Sequence, residues 1–310
     1  GTMKKIIFIA IIAGSLLNLL SAADEAGGRA GAYLRMPGDA RSASMGNGLA
    51  AVSGDANLAG VNPAILPFLE SKQFSTSFQF LTLDRSHQTL SFGLGLPPNA
   101  GMCISWVHAG VNKITGRNYS NDPTYEYSWS QDAFVMAFGM NVIKQLSIGV
   151  SAKILSDRLG YSSSSGFSAD IGILLEPFDD LKFGFVVKDI TGKVTWDISS
   201  EPFVDFQTRR VDTYPLVYHL GISYYFLDRY LISGTYKMSN DIEPSWHIGA
   251  EARVWEAFYI RAGADNGTPV FGFGTSYKLR NDMSTRLDYA FITGRVQEGI
   301  SHMFTWLFYF

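Results

Sequence analysis

From residue 72 to its end the chain keeps one rhythm. Runs of about ten residues alternate apolar side chains with polar or small ones, and short polar turns separate the runs. Fourteen such runs are read as strands, over 73–83, 87–96, 101–110, 130–140, 145–156, 166–175, 180–190, 215–226, 229–238, 245–254, 257–265, 268–279, 283–293 and 299–310. From Trp246 to Val254 every even position is apolar, whereas His247, Gly249, Glu251 and Arg253 occupy the odd ones. Leu146, Ile148, Val150, Ala152 and Ile154 likewise oppose Ser147, Gly149, Ser151 and Lys153. Successive side chains of a strand point to opposite faces, so each run has one apolar and one polar face. That pattern serves a soluble sandwich, with the apolar face as core, or a membrane barrel, with the apolar face against lipid.

Composition and connection lengths favour the barrel. Charged residues are 17% of the chain, against a usual ~25%. Aromatics reach 14% and there are 31 glycines, yet mean hydropathy is only +0.06. Past the N-terminus no stretch approaches the ~20 apolar residues of a membrane helix, which excludes a helical membrane protein. The net charge of −3 leaves no electrostatic footprint for nucleic acid. A single cysteine, Cys103, excludes an intrachain disulfide and a thiolate metal cluster. Tight connections at 97–100, 141–144, 227–228 and 255–256 alternate with longer ones, notably 111–129 and 191–214. Short turns on one side, long loops on the other and an even strand count mark a bacterial outer-membrane barrel. Closure also removes the free edges that a sandwich leaves. The predicted fold is therefore all-β: a 14-stranded antiparallel transmembrane β-barrel spanning 71–310. Ile148, Ile171, Ile248, Leu287 and Phe304 are expected to face lipid.

Both ends of the chain carry export signals. Gly1 and Thr2 precede the natural start at Met3 and read as an expression remnant. Lys4 and Lys5, the apolar stretch from Ile6 to Leu20 and the small residues Ser21-Ala22-Ala23 form a signal peptide, cleaved near Ala23. A membrane anchor is the alternative, but the stretch is short and Gly14, Ser15 and Asn18 interrupt it. At the other end Phe304, Trp306, Phe308 and Phe310 alternate strictly. An aromatic last strand ending on Phe resembles the signal read by the barrel-assembly machinery of Gram-negative bacteria. The expected location is the outer membrane, with its lipid and that machinery as partners.

The polar face of the runs carries Lys153, Asp170, Lys188, His219, Lys237, Glu251, Arg253, Arg261, Lys278, Arg286 and Asp288. Adjacent strands bear both signs, so Lys153 with Asp170, Lys237 with Glu251, and Lys278 with Asp288 are expected to neutralise one another. A charged selectivity ring is the sharper alternative. Eight-stranded barrels fill themselves and 16–18 strands leave a channel, so a lumen of fourteen strands needs a plug or is a pore. Residues 24–70, too long and too rich in glycine and alanine for a mere linker, are the candidate plug. Asn62 is expected to cap exposed backbone there, and Pro63 to fix a turn. Inward glycines such as Gly93, Gly95, Gly272 and Gly274 would make room for it. No His-Glu-x-x-His zinc site exists and the five histidines are scattered singly. The serines between Gly160 and Gly166 lack nucleophile-elbow spacing. The reading is of a non-enzyme, without metal or cofactor.

One stretch carries a resemblance. Ala40-Arg41 through Met45-Gly46, then Asp55-Ala56 and Asn62-Pro63-Ala64, are similar in order and spacing to the N-terminal signature of the PorV/PorQ family. That family is a branch of the long-chain fatty-acid transporter-like (FadL-like) barrels. Gly38 is an extra residue relative to the family pattern, and Val61 stands where an aromatic is usual. The resemblance implies an N-terminal hatch folded into the lumen, with Arg41, Met45, Gly46, Asp55, Asn62, Pro63 and Ala64 as its motif. It also implies a role in type IX protein secretion, binding exported cargo or translocon subunits at the outer loops. Those loops hold Tyr119, Tyr125, Tyr127, Trp129, Trp196, Phe203 and Phe206, an aromatic density suited to a protein interface. The alternative is a FadL-like channel for passive uptake of hydrophobic small molecules, which needs an apolar pocket near the hatch.

Overall fold

The computed structural model describes residues 28–199, 207–280, 283–294 and 299–310. The leader 1–23, with Phe203 and Phe206, lies outside these residues. Fifteen strands follow an N-terminal segment: β1 (Gln73–Phe80), β2 (Arg85–Leu96), β3 (Ala100–Arg117), β4 (Pro123–Ile143), β5 (Leu146–Leu159), β6 (Ser162–Phe178), β7 (Leu181–Ser199), β8 (Gln207–Thr213), β9 (Val217–Phe226), β10 (Tyr230–Ser239), β11 (Ser245–Trp255), β12 (Phe258–Asp265), β13 (Thr268–Arg280), β14 (Met283–Ile292) and β15 (Ser301–Tyr309). All pairings are antiparallel and fourteen strands close a ring. Its seam is β1 on β15, in register from Gln73 opposite Tyr309 to Phe80 opposite His302. β8 is extra: it pairs only with the far end of β7, whose near end pairs with β9. An even ring returns the chain, so residues 70 and 310 meet at one rim, where Lys72 and Phe310 exchange backbone hydrogen bonds.

The alternation read from the sequence is realised in space. Ile148, Ile171, Leu287 and Phe304 point outward with Phe138, Val150 and Ile222, while Ser147, Ser151, Asp288 and Thr305 are buried inside. Ile248 is half-buried on the outward face. On the last strand Phe304, Trp306 and Phe310 are exposed, and Trp306 Nε1 donates to Thr285 Oγ1 at 2.6 Å.

The wall is much taller on one side. A tilted span needs about 9–11 residues; β9 and β10 have 10 each, whereas β3 has 18, β4 21 and β7 19. On the tall side the outward apolar rows stop at the level of Gln88, His108, Asp132 and Ser156. There Asp132 accepts from Trp106 Nε1 at 2.9 Å and pairs with His108 at 2.8 Å. Beyond this row β3 and β4 run on to Arg117 and from Pro123, roughly 30 Å at about 3.3 Å per residue. Over their described residues the long connections expected at 111–129 and 191–214 are therefore largely paired strands, not loops. Outside the lipid both faces of a strand are wet, so the apolar alternation that marks a spanning strand is lost.

The described part of the N-terminal segment, from Gly28 to Glu70, packs on the inner faces of the strands. It contains α1 (Ala32–Arg35), α2 (Ala40–Ser44) and two 3₁₀ turns, Ala56–Gly60 and Pro63–Phe68. Asp39 caps α2, accepting from Ser42 N at 2.8 Å and Ser42 Oγ at 2.7 Å. Asn62 caps the second 3₁₀ turn, accepting from Ala64 N at 3.0 Å, with Pro63 at its first position.

Candidate functional site: a lumen filled in layers

The segment lies directly on the strands at several of their glycines. A β-carbon at Gly101 would overlap the Leu66 carbonyl, at Gly149 the Pro63–Ala64 peptide, at Gly172 the Asn62 side chain and at Gly184 the Ala50 carbonyl. Gly93 and Gly95 give way in the same manner to Ala56 and Leu69, and Gly249 to Met45. Gly274 instead makes room for the Asp288 and Arg261 side chains. Asn62 Nδ2 donates to Ala50 O at 2.8 Å and to Ile173 O at 3.3 Å, tying the segment to itself and to β6. Met45, Leu49, Val52, Leu58, Ala64 and Ile65 form an apolar layer with Leu174 and Leu231 of the wall. The motif residues Arg41, Met45, Asp55, Asn62 and Ala64 are thus all buried, as is Gly46.

A closed ionic circuit binds this layer to β11, β12 and β14. Arg41 donates to both Glu251 oxygens, at 2.9 and 2.7 Å, and to Asp55 at 2.8 Å. Glu251 also accepts from Arg261 at 2.5 Å, and Arg261 reaches Asp288 at 2.8 Å. Arg286 bonds Asp288 at 2.8 Å and returns to Asp55 at 2.7 Å, where Tyr309 Oη adds a bond of 3.2 Å. Three guanidiniums thus face three carboxylates, and each carboxylate receives at least two donors. Burial alone would raise the Asp55 carboxyl, but the Arg286 and Arg41 charges beside it hold it well below the usual carboxylate range. Asp39, with no cation against it, is pushed up by burial despite its two bonds from Ser42.

Above this layer sits a chamber of about 90 Å³. Its floor includes Asn57, Gly60 and Val61, and its roof Tyr33, Leu34 and Arg35 of α1. His87, Thr89, Lys153, Asp170, Lys188, Asp189, His219 and Lys237 line its wall. Lys153 lies between two carboxylates, at 2.6 Å from Asp170 and 2.7 Å from Asp189. Tyr33, Ala109, Ala133, Val135, Leu155, Val194 and Tyr214 close the lumen over it with an apolar layer. Against the rim where residues 70 and 310 meet lies a separate, open vestibule of about 690 Å³, reached by Tyr259, Lys278, Arg286 and Tyr309.

Several sequence expectations need correction here. Of the three expected pairs only Lys153–Asp170 forms, because a diagonal offset of two residues is within reach. Lys237 stands opposite Ser245, far along the strand from Glu251, whose partners are Arg41 and Arg261. Lys278 stands opposite Ser284, whereas Asp288 lies opposite Gly274 and pairs with Arg261 and Arg286. Lys278 and Arg253 share the inward register but sit exposed at the rim, Arg253 donating to the Asp228 carbonyl at 2.9 Å. Among the expected partner-binding aromatics, Tyr119 and Tyr125 are exposed, but Trp196 is half-buried against the apolar roof. Sequence reasoning missed Asp189, Tyr309 and the place of His87. The doublet Lys188-Asp189 breaks period two, since both side chains turn inward where Asp189 adopts a positive φ of 61°. That break was the available signal.

No protein-family model matches the chain, and no curated protein matches it. Solved structures do. The Ralstonia pickettii toluene transporter TbuX aligns with a TM-score of 0.65 at 13% identity, covering 88% of this chain and 99% of that one. CymD, a monoaromatic hydrocarbon channel, aligns at 0.63 and 15%, covering 89% and 98%. A Pseudomonas aeruginosa FadL homologue aligns at 0.59 and 11%, covering 88% and 98%. At such identities the likeness is one of fold, a closed antiparallel β-barrel.

Proposed function

We propose that this protein is a non-enzymatic outer-membrane channel of FadL-like type that passes small hydrophobic compounds across the membrane. The observation that carries this reading is a fourteen-stranded barrel, filled by its own N-terminal segment, that aligns over 88% of its length with a toluene transporter. Layered filling suits such a task better than bulk diffusion of ions, because an apolar roof and a seated inner segment occupy the lumen at two levels. A cavity of about 150 Å³ accommodates benzene, so the 90 Å³ chamber does not accept toluene without movement of α1 or the segment beneath it. Expression in a Gram-negative host lacking its own hydrocarbon channel should raise the initial rate of labelled toluene uptake several-fold. Equal rates with and without the barrel, at matched outer-membrane levels, would refute the reading.

A second reading, the PorV/PorQ-type role in secretion, is favoured by a separate observation. Tyr119 and Tyr125 stand exposed on the β3–β4 hairpin, well beyond the lipid belt. Tyrosine is enriched at protein interfaces, so exposed tyrosines at such a height suit a protein contact. A photo-crosslinker at Tyr119 that captures an exported protein or a translocon subunit in the native membrane supports this role. Absence of any captured protein removes it.

A further inference from the structure

The roof over the chamber contains a polar seam. Tyr33 of α1, Tyr214 of the turn between β8 and β9, and Asp157 of β5 are 3%, 3% and 1% exposed. Tyr33 Oη, Tyr214 Oη and Asp157 Oδ1 have no hydrogen-bond partner. The other oxygen of Asp157 accepts from Ser164 Oγ at 3.2 Å. A β-carbon at Gly31 would meet the Tyr214 ring at 2.4 Å, so the ring presses on the start of α1. Deeper in the lumen the segment is tied to the wall by bonds, from Ala40 N to Thr305, from Ser223 to the Ala51 carbonyl and between His247 and the Gly46 carbonyl. α1 meets the wall through an apolar layer.

Asp157 is a carboxyl in a place that does not suit a charge. It stands one residue past Ser156, where the outward apolar side chains stop, and so lies beyond the lipid. Leu155, two residues before it on the same face, belongs to the apolar layer. Around Asp157 stand Gln131 and Asp132 of β4, Ser164 of β6, Asp212 of β8 and the two tyrosines. Arg35 of α1 donates to the Ala30 and Arg29 carbonyls, at 3.0 and 3.3 Å. Burial, with Asp132 and Asp212 adding charge of the same sign, outweighs the bonds from Ser164 and Gln131 and pushes the Asp157 carboxyl above the usual carboxylate range. Burial pushes both tyrosine hydroxyls up as well, so Asp157 is the first of the three to ionise as pH rises. Water in the seam would pair these oxygens without altering which form of the carboxyl burial favours.

We propose that Asp157, Tyr33 and Tyr214 form a pH-sensitive latch on the roof. With a proton on Oδ1, the carboxyl donates to a tyrosine oxygen and α1 stays seated. When that proton passes to solvent, a buried anion is left near two other carboxylates, and α1 lifts to let water reach it. In the lifted state the carboxyl returns to its ordinary value of about 3.9. Closure is therefore strongest below that value and weakens as pH rises from it to the raised value of the closed roof. The layer from Met45 to Ile65 stays seated beneath, since Asp157 takes no part in it.

A cysteine in place of Leu34, which faces the chamber, reports the latch in the full-length barrel in detergent; the native Cys103 is buried. Its rate of labelling by a neutral maleimide is divided, at each pH, by that of the exposed reference Tyr119→Cys. The ratio should rise by roughly threefold or more in Leu34→Cys between pH 4 and pH 7. Adding Asp157→Asn, which keeps the shape and cannot ionise, should hold the ratio at its low-pH value throughout. Adding Ser164→Ala, which takes a donor from the ionised carboxylate, should move the rise to higher pH, and it decides the matter if the asparagine variant gives no heat-modifiable barrel. A flat profile in Leu34→Cys, or an unchanged profile in the folded variants, overturns the latch. Labelling is read without hydrocarbon passage, so the latch and the channel reading can fail separately.

Discussion

Two buried polar clusters lie one above the other in the same lumen, and they differ in what they tie together. In the lower circuit Arg41, Arg261 and Arg286 face Asp55, Glu251 and Asp288, three against three. In the chamber Lys153 joins Asp170 and Asp189 within the wall, and Thr89 and His219 carry polar atoms with no hydrogen-bond partner. A neutral cluster shared between segment and wall holds the two together, although Arg261 Nη2 has no partner. The difference assigns attachment of the inner segment to the lower circuit.

The sharpest way to break this contrast is to remove one member of the circuit. Arg41→Met strands Asp55 and Glu251 with fewer partners, and loss of one partner of a buried ion pair costs about 3–5 kcal/mol. Unfolding of the detergent-solubilised barrel should register that loss, together with protease access to the segment. Pairing Arg41→Met with Glu251→Leu should cost less than the sum of the two single changes, since the stranded charge goes with its partner. Additive losses would mean that the circuit is not coupled. A smaller effect is expected from Gly149→Val, whose β-carbon meets the Pro63–Ala64 backbone. Overpacking of this kind costs about 1–3 kcal/mol, and it should loosen the segment with every charge left in place. The smallest effect belongs to the chamber. Thr89→Val deletes a hydroxyl that has no protein partner, so stability should hold or rise slightly. A large loss of stability there would erase the distinction between the two clusters.

The sequence showed one cluster better than the other, for a physical reason. Lipid enforces period two on every spanning strand, so fourteen strands and their inward faces were legible, down to Lys153 with Asp170. Beyond the lipid nothing enforces it. Arg209, Arg210 and Asp212 of β8 engage one another and Asp197 in water, at 2.9 Å in both pairs, and so read as loop. The circuit's pairings were hidden because two of its six members, Arg41 and Asp55, come from the inner segment and intercept charges that strand adjacency alone would pair. Inward glycines were a truer guide. Gly93 and Gly95 do sit where the segment passes, because a strand without side chains there is what lets another backbone approach.

The central claim is that the segment from Gly28 to Glu70 closes the lumen, and single-channel recording tests it most directly. Deleting residues 28–60 removes Arg41 and Asp55 together and leaves Arg261 and Arg286 balanced by Glu251 and Asp288, so the wall keeps a neutral circuit. In planar bilayers the intact protein should show no resolved conductance steps. The truncated barrel, with its heat-modifiable gel mobility retained, should give large and stable steps. A folded truncated barrel that conducts no better than the intact protein would contradict the account.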